Sequence, residues 1–271
     1  MNLEFYARES NCLTDGKIKV KVLGDSGEVF YEIAQTMVST IEKNNSNNEM
    51  TVFILPVGPV GQYPIFVRLV NEKQLDLSKC VFINMDEYLT DDKQWISKTD
   101  PLSFRGFMDR NLYSLIPEER NVKLENRVFP DPNNTTHILE VIKKYGKVDV
   151  TFGGIGINGH VAFNEAEDVT AEEFSTRLTR VLAISAETRT ANAIGDKGGA
   201  IDAMPKYAVT IGMKEILSAN KVVLGVFRDW HRAVLRRAIY DEASGAFPVT
   251  LLQNHSDAVI LANSNAARRP F

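Results

Sequence analysis

A histidine and a glutamate five positions apart stand in Phe152-Gly153-Gly154-Ile155-Gly156-Ile157-Asn158-Gly159-His160-Val161-Ala162-Phe163-Asn164-Glu165. The four glycines let the backbone come close to whatever lies there, because no Cβ stands in the way. A histidine exchanges its proton near neutrality, so His160 with an acid nearby suits proton shuttling. A lone histidine is usually a hydrogen-bonded structural residue, but the glycine-rich setting beside Glu165 favours catalysis. A second place is Val81-Phe82-Ile83-Asn84-Met85-Asp86-Glu87-Tyr88, an apolar run that ends in two acids and a tyrosine. A carboxylate at the end of a buried strand, its pKa set by the pocket, is a candidate general base. The other reading of Asp86 is a helix cap or a surface acid. A third place is Leu55-Pro56-Val57-Gly58-Pro59-Val60-Gly61-Gln62-Tyr63-Pro64. There Gly58 and Gly61 precede a helix start and can turn backbone N–H groups toward an anion. The segment has no hydroxyl donors before Tyr63, so a tight strand-to-helix turn without a ligand fits equally well.

Short apolar runs that alternate with segments of helical period must position these groups. That alternation predicts a doubly wound α/β fold, a mostly parallel sheet with helices on both faces. Ile18–Leu23 reads as the first strand, and Asp25 or Ser26 caps a helix. Its apolar positions Val29, Phe30, Ile33, Ala34, Met37 and Ile41 recur at three- and four-residue intervals. The helix is expected to end near Lys43, with a polar turn at Asn44–Asn48 and a strand at Met50–Leu55. Helices are expected at Phe66–Asn71, Phe104–Leu115, Ile138–Lys144 and Trp230–Tyr240. Strands are expected at Val81–Asn84, Val148–Phe152, Val181–Ile184, Ala208–Ile211, Lys221–Val226 and Ala258–Leu261. No repeat or low-complexity linker divides residues 1–271, which read as a single Rossmann-like domain. In such a sheet ligands bind beyond the carboxyl ends of the strands, where all three places fall.

Composition narrows the function classes. The chain has 271 residues, 44% hydrophobic and 24% charged, enough to bury one substantial core. Its 31 basic and 35 acidic residues give a net charge of -4 and form no single-sign block, which speaks against nucleic acid and for a small-molecule substrate. No apolar run spans a membrane, and the segment Met1 to Asp15 carries Glu4, Arg8 and Glu9 without the apolar core of a signal peptide. Two cysteines, Cys12 and Cys80, lack the spacing of a disulfide framework or zinc site, so no metal is expected and a reduced cytoplasmic setting is. Cys80 reads as a small core residue.

Asn84-Met85-Asp86-Glu87-Tyr88 and Gly153 to Glu165 resemble the two signature segments of the glucosamine-6-phosphate deaminase and isomerase family. Pro101-Leu102-Ser103-Phe104, Phe107-Met108, Asn111, Thr188-Arg189, Ala191-Asn192 and Pro205 to Gly212 are similar to its other segments, in order and spacing. The likeness runs from about Ile18 to Ala266. The related 6-phosphogluconolactonases share the glycine-histidine turn, but after that turn Ala162-Phe163-Asn164-Glu165 is the deaminase version.

The resemblance implies conversion of an amino aldose to a ketose with loss of ammonia and with no cofactor. Asp86 resembles the base that moves the C2 proton, His160 the group that assists ring opening, and Glu165 the acid that works with that histidine. Asn158 stands where the family has an aspartate, and an amide can orient an imidazole without stabilising its charge. Implied substrate contacts are Gly58, Val60, Gly61, Glu87, Tyr88, Gly154, Gly156, Gly159, Arg189, His231 and Arg232. The partner implied is a small sugar or sugar phosphate, and the family commonly assembles as homo-oligomers.

The departures gather where the family holds phosphate. Val57, Pro59 and Val60 replace hydroxyl-bearing or glycine positions, and Ile194 falls at the family's phosphate-facing arginine. His231 falls at its phosphate-binding lysine, with Arg228 and Arg232 as the cations nearby. Those three fit ligand binding and a solvated helix start equally, and Trp230 fits packing as well as stacking on a sugar. Glucosamine 6-phosphate is therefore expected to be a poor substrate, and a variant or unphosphorylated sugar is admitted. A non-catalytic sugar-binding module and a sugar lactonase on the same fold are the alternatives.

Overall fold

The structure is a computed structural model that describes residues 4–271. Met1 to Leu3 and the side chains at positions 10–12 lie outside the described residues, and with them the expectations for Cys12 and the start of the chain. The elements in chain order are β1 (Lys19–Leu23), α1 (Ser26–Ser46), β2 (Thr51–Leu55), α2 (Gln62–Glu72), β3 (Cys80–Asn84) and β4 (Asp86–Leu89). Then come α3 (Phe104–Asn111), β5 (Arg127–Val128), α4 (His137–Tyr145), β6 (Val150–Gly154), α5 (Ala171–Ser175) and β7 (Arg180–Ala183). The last are α6 (Ala186–Asp196), β8 (Tyr207–Thr210), α7 (Met213–Leu217), β9 (Lys221–Val226), α8 (His231–Tyr240) and β10 (Ala258–Asn263).

Seven strands in the order β1-β10-β9-β6-β2-β3-β5 pair in parallel throughout. Strands β2 and β3 are apolar along nearly their whole length because both of their faces are buried. Side chains alternate between those faces. Val52, Ile54, Val81, Ile83 and Leu224 join the core under α4, α7 and α8, through Ile138, Ile216, Leu235 and Ile239. Phe53, Leu55, Phe82, Phe152 and Val223 join the core under α1 and α2, through Ile33, Met37, Phe66 and Val70. Phe53 is fully buried and stacks on Phe82, with ring centroids 5.8 Å apart. Its truncation to alanine would cost about 3–5 kcal/mol. Cys80 is buried in the same core, and burial pushes its thiol pKa up.

The run Val81–Tyr88 does not stay in one sheet. It turns at Met85, whose N–H still bonds Leu55 O at 2.9 Å while its carbonyl accepts from Ile211 N at 2.8 Å. Asp86 therefore opens β4, which pairs antiparallel with β8. The strands expected at Val181–Ile184 and Ala208–Ile211 form this second sheet, ordered β4-β8-β7, and do not extend the first. A small core of their own holds them: Tyr88, Ile96, Phe163, Ile184 and Ala208. Three helix ends also differ from expectation. Helix α2 already starts at Gln62, whose Nε2 donates to Pro59 O at 2.7 Å. Helix α1 continues to Ser46, because Asn44 faces inward and donates to Thr51 Oγ1 at 3.0 Å. Helix α3 stops at Asn111, where Leu112 (φ -133°, ψ -70°) leaves the helical region. Among the described residues, no helix is long and apolar enough to cross a membrane.

Candidate active site

A cavity of about 580 Å³ opens beyond the carboxyl ends of β2, β3, β6 and β9. Met85 and Asp86 line it from the end of β3, the Pro56–Gly61 loop from β2, Gly154 to Ile157 and His160 from β6, and Phe227, Arg228, Trp230 and His231 from β9. Helix α6 adds Ala191, Asn192 and Asp196.

Asp86 is 7% exposed, and no hydrogen bond from the described residues holds its carboxylate. Burial, with the neighbouring Glu87 carboxylate adding to it, raises its pKa well above the ordinary range. That arrangement suits a base that must take and return a proton. Tyr88 also lines the cavity, its hydroxyl accepting from Asn192 Nδ2 at 3.0 Å. The ring stands between Phe104 and Phe163, with centroids at 4.9 and 5.3 Å.

His160 hangs from the turn after β6. Gly156 N donates to His160 O at 2.9 Å, and the imidazole lies directly over Gly156. A Cβ on Gly156 would come within 1.9 Å of His160 Cε1, so only glycine admits the ring there. His160 Nδ1 is 2.7 Å from Asn158 Oδ1, and Asn158 Nδ2 donates to Glu165 Oε2 at 2.7 Å. Glu165 further accepts from Thr188 Oγ1 at 3.0 Å and from Ser185 N, the cap of α6, at 3.2 Å. A carboxylate can only accept, so it takes the amide NH₂ of Asn158 and turns the amide oxygen to His160. The oxygen in turn requires a proton on Nδ1. Nε2 is left as a lone-pair base with no hydrogen-bond partner among the described residues. Burial lowers the His160 pKa and the Glu165 charge raises it, with burial the larger effect.

Several residues expected at the substrate are turned to other work. Glu87 is fully buried, and its carboxylate accepts from Tyr88 N, Phe104 N, Arg105 N and Ser103 Oγ at 2.9–3.0 Å. It anchors the N-terminus of α3 and does not line the cavity. Gly159 (φ +81°) packs against the Phe247 ring. Arg189 donates to Ile201 O at 3.0 Å and ties α6 to the following loop. His231 touches the cavity, but its Nδ1 accepts from Phe227 N and Arg228 N at 3.0 and 2.9 Å, and its Nε2 donates to Ile155 O at 3.0 Å. Burial pushes its pKa down to about 3, so at neutral pH the ring carries no charge. Arg232 points away and bonds Asn265 through its Nε and NH2. Ile194 is 69% exposed and does not line the cavity.

A comparison with protein-family models gives no match. Glucosamine-6-phosphate deaminase of Cronobacter sakazakii is 32% identical over 214 residues, covering 77% of this chain and 76% of that protein. The Vibrio campbellii enzyme of the same name is 33% identical over 213 residues, with 77% and 76% coverage. The chain belongs to the glucosamine-6-phosphate deaminase family. A solved monomeric glucosamine-6-phosphate deaminase superposes with a TM-score of 0.80 at 26% identity, covering 92% of this chain and 99% of that one. A 6-phosphogluconolactonase from Shewanella baltica shares the fold alone, with a TM-score of 0.66 at 14% identity over 91% of this chain and 98% of that one.

For this member of the glucosamine-6-phosphate deaminase family, the structure brings Asp86, Tyr88, His160, Gly58, Val60, Gly61, Gly154, Gly156 and His231 to one cavity, with Asn158 and Glu165 directly behind His160. Sequence reasoning missed Ser185, Asp196, Phe30 and Phe227 as site residues. Ser185 had a signal, an N-cap serine three residues before Thr188. Phe30 sits in the apolar stripe of α1 and was legible only as core, yet its ring lies against Gly61 and stands 4.9 Å from Phe227.

Proposed function

We propose that the protein converts an amino aldose into the corresponding ketose and releases ammonia. One observation carries this reading: the unbonded carboxylate of Asp86 and the unbonded Nε2 of His160 line the same cavity, while Glu87 and Glu165 beside them are fully engaged. His160 Nε2 takes the proton of the anomeric hydroxyl and returns it to the ring oxygen, which opens the ring and leaves an aldehyde at C1. Asp86 then removes the C2 proton as O1 takes a proton from the substrate's own C2 ammonium group, giving a neutral enolamine. Asp86 returns its proton to C1, and the product is a C2 iminium. Water adds at C2, and the C–N bond breaks to give the ketose and an ammonium ion. The relay through Asn158 to Glu165 holds the imidazole in the tautomer that the first step needs.

The same reading takes the chain as one domain, supported by the solved deaminase that covers 92% of it. It includes a cytoplasmic setting and assembly with further copies, and a monomer by light scattering would remove the latter. The decisive assay measures ammonia and ketose with glucosamine and its 6-phosphate, together with deuterium entry at C1 from heavy water. Ammonia equal to ketose is the expected result. Hydrolysis of a sugar lactone without ammonia would move the protein to lactonase chemistry, and binding without turnover would make it a sugar-binding module.

A further inference from the structure

We propose that the end of the cavity beyond β9, walled by Phe30, Val57, Val60, Phe227 and Trp230, receives an uncharged C6 terminus of the amino sugar and not a phosphate ester; the inference rests on the amino-sugar reading above. The sheet order puts β2 and β6 between β3, which leads to Asp86, and β9, which leads to Phe227. Three interstrand steps of about 4.8 Å place the two ends roughly 14 Å apart. His160, which acts at the ring oxygen, hangs from the turn after β6, so a hexose with C2 at Asp86 runs from β3 toward β6 and turns its C5–C6 tail to the β9 side.

The side chains at that end are a poor match for a dianion. His231 is neutral and both of its ring nitrogens are engaged by backbone. Arg232 is held by Asn265 outside the cavity. Arg228 is the one lysine or arginine lining the cavity among the described residues, and it is exposed. It shares the rim with Asp196, whose carboxyl is raised by partial burial while the Arg228 charge pulls it the other way. A phosphate placed there would meet one solvated cation and one acid, where a dianion needs several charge-assisted donors. Pro59 adds no N–H, and its ring packs where a Cβ on Gly154 would stand, 3.1 Å from Pro59 Cδ. The aromatic and aliphatic side chains can instead bury the carbon tail of an uncharged sugar.

Calorimetric binding of two non-reacting open-chain analogues, glucosaminitol and glucosaminitol 6-phosphate, tests the inference without turnover. The uncharged tail is expected to bind about tenfold or more tightly than the phosphate. Asp196→Asn is expected to narrow that gap about threefold by removing the acid that faces the anion. Equal binding, no binding of either, or tighter binding of the phosphate ester overturns the inference, and the last would place the phosphate on the backbone of the Gly58–Gly61 turn. The ammonia assay separates the two readings. A retained preference for glucosaminitol with no ammonia from either amino sugar would remove the deaminase reading and leave the uncharged subsite standing.

Discussion

Asn158 donates to Glu165 Oε2 across 2.7 Å, and this bond decides which end of the amide His160 meets. The imidazole then has a fixed tautomer, with Nδ1–H on Asn158 Oδ1 and a free Nε2. The cost of using an amide is electrostatic, because it offers the imidazolium no charge.

Asn158→Asp is therefore expected to raise the pKa of His160, since a carboxylate would stand at Nδ1. Turnover needs the neutral ring, so the acid limb of the pH–rate profile should move to higher pH. Kinetics across that limb, with NMR titration of His160, check the direction. An unmoved limb would mean that the relay does not reach the reacting proton.

Asp86→Asn removes the base and little else. We expect kcat to fall by about 10²–10⁴-fold, because an amide cannot accept the C2 proton. The folded protein should be as stable as before or slightly more so near neutrality. A carboxyl with a raised folded pKa destabilises the native state increasingly as pH rises from its unfolded pKa through its folded one. Thermal melts beside kinetics separate this outcome from a structural role.

Glu87→Gln should do the opposite. At the start of α3 the side chain accepts from Ser103 Oγ, Phe104 N and Arg105 N and pairs with Arg105 Nε at 3.2 Å, and losing a buried, charge-assisted set costs about 2–3 kcal/mol. That corresponds to a fall in Tm of about 5–10 °C. KM measured well below the melt should stay near the wild-type value, and a large KM change with an unchanged Tm would return Glu87 to the substrate.

The contrast between these neighbours shows what the sequence could and could not convey. An apolar run ending in two acids marks a strand end, and the glycines around His160 mark close backbone approach, so the sheet and the core of the site were readable. Which of Asp86 and Glu87 faces the cavity depends on the turn at Met85 into a second sheet, a tertiary pairing with Ile211 that no local pattern encodes. The same holds for His231. Its helix position was legible, but not the Ile155 carbonyl that occupies its Nε2 from 76 residues away.

His231 gives the last prediction, because its charge state can be read directly. Its folded pKa is lowered to about 3 from an ordinary 6.5. Above the unfolded value it contributes no pH dependence. As pH falls below that value the unfolded chain binds a proton that the folded chain refuses. His231 thus draws stability down by about 1.4 kcal/mol per pH unit until the folded pKa is reached. Denaturant melts of the wild type and His231→Asn should differ in slope below about pH 6, with the variant lower in stability at neutrality but less sensitive to acid. The His231 Cε1–H resonance should stay at its neutral position from about pH 8 to pH 5. Binding of glucosaminitol 6-phosphate should gain nothing from His231 over that range. A resonance that titrates there would show that the ring takes up a proton in the fold, and the β9 end of the cavity would then hold a second cation for a phosphate.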